Sequence, residues 1–125
     1  PTAERLMRAR LQNIGLVSSR ADTIRRVSAA VFKGELRFDI AQDPEEFCAA
    51  LTSIKGVGDW TAQYVAMRAQ KNPDAFPGSD LGLIKAIDFP HRVTAKELTA
   101  RAEEWRPWRA YAAMLLWGSL AGSGG

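Results

Sequence analysis

Three groups of residues in this 125-residue chain combine types and spacings that suit chemistry. The first is Ile54-Lys55-Gly56-Val57-Gly58, a short segment between two stretches of helical character. Glycine opens backbone conformations closed to other residues and lets a chain approach a ligand closely. A helix that starts directly after Gly58 turns its unpaired N–H groups and the positive end of its dipole outward. Such a turn can hold a phosphate without reading any sequence, and Lys55 adds a cation beside it. The same pattern also serves as an ordinary turn between packed helices. The second group is Asp80, in Phe76-Pro77-Gly78-Ser79-Asp80-Leu81-Gly82. An aspartate at a helix start is ordinarily a cap, and a capping bond would also fix its carboxylate in one orientation. The third is Trp60 and Tyr64, which share one face of the helix after the glycines. Paired aromatics usually serve a core, but electron-rich rings also attract cations to their faces.

The elements that must position these groups read as helix after helix, with almost no period-2 alternation; the class is all-α. A first helix is predicted from about Thr2 to Leu11, broken at Gly15. A second begins near Ser19 with Ala21, Ile24, Val27 and Val31 on one stripe, and Gly34 fits its C′ position. Glu35 to Ile40 is a connector. Asp43, Pro44 and Glu46 form a capping box that opens a third helix, whose inward stripe is Phe47, Ala50, Leu51 and Ile54. A fourth helix runs from Asp59 to about Gln70. A polar loop, Lys71 to Ser79, leads to a short helix from Asp80 to about Ile87. Thr94 and Glu97 form another capping box, opening a helix to about Trp105. After a break at Pro107, a last helix spans Trp108 to Leu120. Residues 1–121 read as one segment and 122–125 as a flexible tail.

Composition excludes more than it selects. Seventeen basic against fourteen acidic residues leave a net charge of +3, only a mild bias toward an anionic partner. The single cysteine, Cys48, excludes an internal disulfide and a four-cysteine metal or cluster site, and suits a reducing, cytoplasmic setting. No apolar run approaches the ~20 residues that cross a bilayer, so no membrane role is expected. Pro1 is not a translation start, which predicts further sequence upstream.

The string Leu51-x-x-Ile54-Lys55-Gly56-Val57-Gly58-x-x-Thr61-Ala62 resembles the helix-hairpin-helix of the base-excision DNA glycosylases, whose usual hairpin is Leu-Pro-Gly-Val-Gly followed by Thr-Ala. Lys55 stands where proline is common; both glycines remain. Asp80 matches that superfamily's catalytic aspartate, which follows the hairpin in a Pro-x-x-Asp-Leu-Gly setting. The Thr61-to-Ala69 run and the Trp105-to-Ala112 stretch before Trp117 are similar to the bacterial AlkA-type 3-methyladenine glycosylases.

This resemblance implies the C-terminal portion of a helix-hairpin-helix glycosylase fold, with the hairpin at residues 43–70. It implies an enzyme that hydrolyses the N-glycosidic bond of flipped alkylated bases in double-stranded DNA, in bacterial cytoplasm on the nucleoid. Asp80 would be catalytic, with Trp60, Tyr64, Leu81 and Trp117 around the base. Lys55, Gly56, Val57, Gly58 and Thr61 would hold the DNA backbone. The carbonyls of Thr52, Ile54 and Val57 would hold a monovalent Na⁺ or K⁺, with no cofactor required for the chemistry. Leu81 departs from the tyrosine found in AlkA, which puts the range of damaged bases in doubt. Glycosylases that also cut the backbone place a nucleophilic lysine where Trp60 stands, so a monofunctional hydrolase is expected. The upstream part of the same protein, with a wedge residue, would complete the site. The rival is a non-catalytic helix-hairpin-helix DNA-binding module, which needs neither Asp80 nor an aromatic pocket.

Other residues carry no such expectation. His91 has no metal-ligand partner in sequence and reads as a solvated loop residue. Cys48 reads as inert core. Trp105 and Trp108 read as packing about Pro107. Arg25, Arg26, Arg106 and Arg109 could reach phosphate, but a solvated or carboxylate-paired face is the simpler account.

Overall fold

The computed structural model describes residues 1–38, 43–87 and 93–123. His91 lies outside the described residues, as do the end of the 35–40 connector and the last two residues of the expected tail. Every regular element described is helical, as the sequence predicts. The chain divides into two compact units, 1–62 and 63–125, with the boundary inside a helix.

In the first unit, α1 (Ala3–Arg8) is capped by Thr2, whose hydroxyl accepts the Arg5 N–H at 3.2 Å. It ends earlier than the expected Leu11, and Leu11–Ile14 forms a separate 3₁₀ turn. The reason lies in α2 (Ser18–Phe32): Arg25 donates its Nε–H to the Ala9 carbonyl at 3.0 Å, satisfying an acceptor just past the helix end. Arg25 also pairs with Asp22 at 3.1 Å. On α2, which packs against α1, Ala21, Ser28 and Ala30 are buried, whereas Ile24, Val27 and Val31 are only half-buried. The buried Ser28 hydroxyl is satisfied by donating to the Ile24 carbonyl at 2.7 Å. Gly34 closes the helix at φ +78°, as its predicted C′ role requires.

The N-cap half of the capping-box reading at α3 (Pro44–Thr52) is borne out: the Asp43 carboxylate accepts the Glu46 N–H at 3.1 Å. Phe47 and Leu51 bury its inner face, and Phe38 meets Phe47 edge-on at 5.4 Å. α4 (Asp59–Arg68) follows the glycine turn and carries the unit boundary.

The second unit holds the rest of α4, then α5 (Leu81–Ala86), α6 (Ala95–Ala102), a 3₁₀ turn at Glu103–Trp105 and α7 (Arg109–Ser123). Thr94 caps α6 by accepting the Glu97 N–H at 3.1 Å. Leu83, Leu98, Ala102 and Ala113 are fully buried, and α5 packs on α7. α7 continues through Gly122 to Ser123, where a flexible tail was expected from residue 122. Single glycines cost a helix about 1 kcal/mol each, which is not enough to end one already propagating. Among the described residues no helix is long and apolar enough to cross a membrane.

Candidate active site

Asp80 is delivered by a loop that is far from solvated. Residues 71–79 read in the sequence as polar, yet Ala75, Phe76, Pro77 and Gly78 are all buried. Phe76 donates its N–H to Gln63 Oε1 at 3.0 Å and meets Trp105 edge-on at 5.9 Å. Pro73 accepts the Ala110 N–H at 2.8 Å. Asp74 ties the loop to the start of α7. Its Oδ1 accepts from Arg109 Nε at 2.9 Å, and its Oδ2 accepts from Arg106 Nη1 at 2.6 Å. Glu103 binds Arg106 in turn, at 2.6 Å and 3.1 Å. Arg106 and Arg109 are therefore carboxylate-paired, the simpler of their two accounts, though the partner Asp74 carried no mark in the sequence.

Burial pushes the Asp74 carboxyl up, but hydrogen bonds from Arg109 and the charges of Arg109 and Arg106 outweigh it, and the net shift is downward. The sign follows from linkage: a carboxylate whose folded-state value is lowered contributes stability that is complete above the ordinary value of about 4. That stability is lost as pH falls through the lowered value. Asp74→Asn is expected to cost about 1–3 kcal/mol near neutrality and to flatten the fall in melting temperature below about pH 4. Circular-dichroism melts across the acid range check this; an acid slope parallel to that of the unaltered protein would assign the response to other carboxylates.

With the loop pinned, Asp80 sits as the N-cap of α5. Its Oδ2 accepts the Leu83 N–H at 3.0 Å and the Trp117 indole Nε1–H at 2.8 Å. Cap and candidate catalytic anion are thus the same carboxylate. Tyr64 lies edge-on to Trp117 at 6.2 Å. Arg68, one turn further along α4, covers the Tyr64 ring with its guanidinium carbon 5.4 Å from the centroid. The second unit therefore brings Asp80, Tyr64 and Trp117 together. Arg68 was missed in the sequence, although its i+4 spacing from Tyr64 was there to read. Leu81, next to the carboxylate, is 73% exposed. Trp60 is on the first turn of α4 in the first unit, one turn before Tyr64, and is 38% exposed.

The hairpin belongs to the first unit. Gly56 adopts φ +98°, and a Cβ there would strike the Thr23 side chain of α2. Gly58 has no positive φ, and a Cβ on it would meet nothing within 4 Å. Nothing among the described residues therefore requires glycine at position 58. Val57 is buried, while Lys55, Gly56, Gly58 and Thr61 are exposed. Arg26 donates from Nη1 to the Lys55 carbonyl at 3.3 Å, bracing the turn. Beside the hairpin, Gly56 and Thr61 line a cavity of about 440 Å³ with Ser19, Arg20 and Thr23 of α2.

The hairpin carbonyls of Thr52, Ile54 and Val57 keep lone pairs of the oxygen type that a hard cation takes. The Ile54 oxygen accepts the Val57 N–H at 3.0 Å and keeps a second lone pair, while those of Thr52 and Val57 accept no hydrogen bond among the described residues. Among the described residues no trio of His, Cys, Asp or Glu is gathered for a metal. Burial pushes the Cys48 thiol up, and the Asp59 charge acts the same way, so its thiolate is disfavoured.

The chain is similar to known proteins over most of its length. The chain is 35% identical over 120 residues to "DNA-3-methyladenine glycosylase 2" of Escherichia coli, covering 94% of the chain and 42% of that protein. The chain is an AlkA-type DNA glycosylase relative. The "Probable bifunctional transcriptional activator/DNA repair enzyme AlkA" of Mycobacterium tuberculosis H37Rv is 37% identical over 123 residues, 96% of the chain and 24% of that protein. "DNA-3-methyladenine glycosylase" of Bacillus subtilis is 39% identical over 71 residues, 54% of the chain and 23% of that protein. No family model matches the chain. The chain thus spans less than half the length of these AlkA-type relatives.

Proposed function

We propose that the protein is a monofunctional DNA N-glycosylase that flips alkylated bases of the 3-methyladenine kind from duplex DNA and hydrolyses their N-glycosidic bond. One observation carries the reading: Asp80 is a fixed carboxylate, held on one oxygen by donors from α5 and α7, beside the aromatic pair Tyr64 and Trp117. The glycosylase names of the relatives support it.

In this reading the bond between C1′ and the base breaks with its electron pair leaving on the base. Positive charge develops on the sugar, and the Asp80 anion stabilises it without reorganising. Water, oriented by Asp80, forms a bond to C1′ through its oxygen and gives up one proton, which the Asp80 carboxylate accepts and passes to solvent. A base alkylated on a ring nitrogen is already cationic and leaves as a neutral species, so no strong general acid is needed. Trp60, at the position where bifunctional enzymes place their nucleophilic lysine, forms no Schiff base. The first-turn amides of α4 hold a backbone phosphate, which Gly58 lets approach, with Lys55, Thr61 and Arg20 beside it. The carbonyls of Thr52, Ile54 and Val57 would hold a Na⁺ or K⁺, which supplies positive charge next to that phosphate.

The test is release of free methylated base from alkylated DNA by the full-length protein, with Trp60→Ala assayed beside it. Loss of an electron-rich ring should lower release of cationic bases about 2- to 30-fold more than release of neutral damaged bases, the worth of ~0.5–2 kcal/mol of cation–π attraction. No release by the unaltered protein would leave the DNA-binding-module reading in place, and equal losses on both base classes would remove the cation–π argument.

A further inference from the structure

We infer that Trp117 is a positioning residue for Asp80 rather than only a wall of the base site, and that Gly82 makes room for the bond between them. The inference rests on the glycosylase reading for its kinetic consequence, but its geometry stands alone. Two donors converge on one oxygen: the Leu83 N–H of α5 at 3.0 Å and the Trp117 indole N–H of α7 at 2.8 Å. The first is an ordinary cap and any Asp, Asn, Ser or Thr would attract it. The second comes from another helix and no capping rule supplies it.

Gly82 lies where a side chain would intrude on both partners. A Cβ there would stand 2.9 Å from Asp80 Oδ2, 3.4 Å from Trp117 Cδ1 and 3.5 Å from Trp117 Nε1. Its backbone needs no left-handed conformation, so the requirement for glycine is spatial. Asp80-Leu81-Gly82 therefore reads as one device, in which the glycine two residues after the carboxylate clears the path for a donor from α7.

The choice of donor has chemical meaning. Lysine or arginine in this place would orient the carboxylate but also neutralise it, weakening the anion that a developing sugar cation needs. An indole N–H only donates and carries no charge. It fixes the oxygen and leaves the full negative charge in the site. The indole is itself held: Tyr64 packs edge-on against it, and Arg68 covers Tyr64.

Trp117→Phe keeps a ring and deletes the donor. In the full-length protein, kcat for base release should fall at least about 10-fold with KM within about twofold, equally for cationic and neutral bases. Gly82→Ala should give the same split. A wall for the base would instead raise KM and alter base selectivity, and that pattern, or an unchanged kcat, overturns the inference. A readout independent of turnover keeps the two readings separable. The Trp117 indole N–H proton resonance should lie downfield in the unaltered protein and move upfield in Asp80→Asn. If no base is released yet the resonance moves, the contact stands and the glycosylase reading falls. If the resonance is indifferent to Asp80→Asn, the positioning role is lost, whether or not Trp117→Phe folds.

Discussion

Asp80→Asn in the full-length protein should reduce release of methylated bases by roughly 10²- to 10³-fold or more, while DNA affinity changes little. The expectation follows from what the substitution keeps. Asparagine is as good an N-cap as aspartate, so the Leu83 N–H remains satisfied and α5 should hold its place. Its amide oxygen can still accept from the Trp117 indole, though as a neutral and weaker acceptor than the carboxylate. What disappears is the charge, and with it the stabilisation of positive charge on the sugar. The hairpin is untouched, so backbone binding should persist. Single-turnover release from alkylated duplex, paired with equilibrium binding to the same duplex, separates the two quantities. Turnover equal to that of the unaltered protein would remove Asp80 from the mechanism.

The second large effect comes from treating the two hairpin glycines separately. Gly56→Ala forces a side chain into φ +98° and drives its Cβ against Thr23, whose hydroxyl already donates to the Ser19 carbonyl at 2.9 Å. Thr23 cannot turn aside without giving up that bond. A loss of about 2–4 kcal/mol is expected, much of the stability of a small domain. Gly58→Ala meets neither obstacle and should leave the melting temperature nearly unchanged. In the proposed reading it should nevertheless weaken DNA binding by about tenfold or more, because its methyl group would stand where that reading brings a phosphate to the α4 amides. Thermal melts and binding titrations of both variants check the contrast. A Gly58→Ala protein that binds DNA normally would show that the hairpin is not the backbone contact.

Much of the fold was legible because its helices announce their ends. The Asp43 and Thr94 caps, Gly34 and Gly56 each impose a local geometry that the structure bears out. The early end of α1 was not legible, since the acceptor that ends it is met by Arg25 on the next helix. The loop before Asp80 was misjudged for a related reason. Its residues look solvated one by one, and only the distant pairing of Asp74 with Arg106 and Arg109 shows that it is clamped. In the site, resemblance marked Asp80, Tyr64 and Trp117. The bond from the indole to the carboxylate joins residues on different helices, and no spacing along the chain encodes it.

The carboxylate of Asp80 terminates a helix and is the proposed reactive anion, so one position answers to two selective pressures. Drift that abolished the chemistry would not be free to wander through all residue types there. Alanine or a branched aliphatic would uncap α5 and be purged for instability, whether or not base release still mattered. Asparagine, serine and threonine would pass. Catalytically silent descendants of this chain should therefore be recognisable by a small polar residue at position 80 with Gly82 and Trp117 free to change around it.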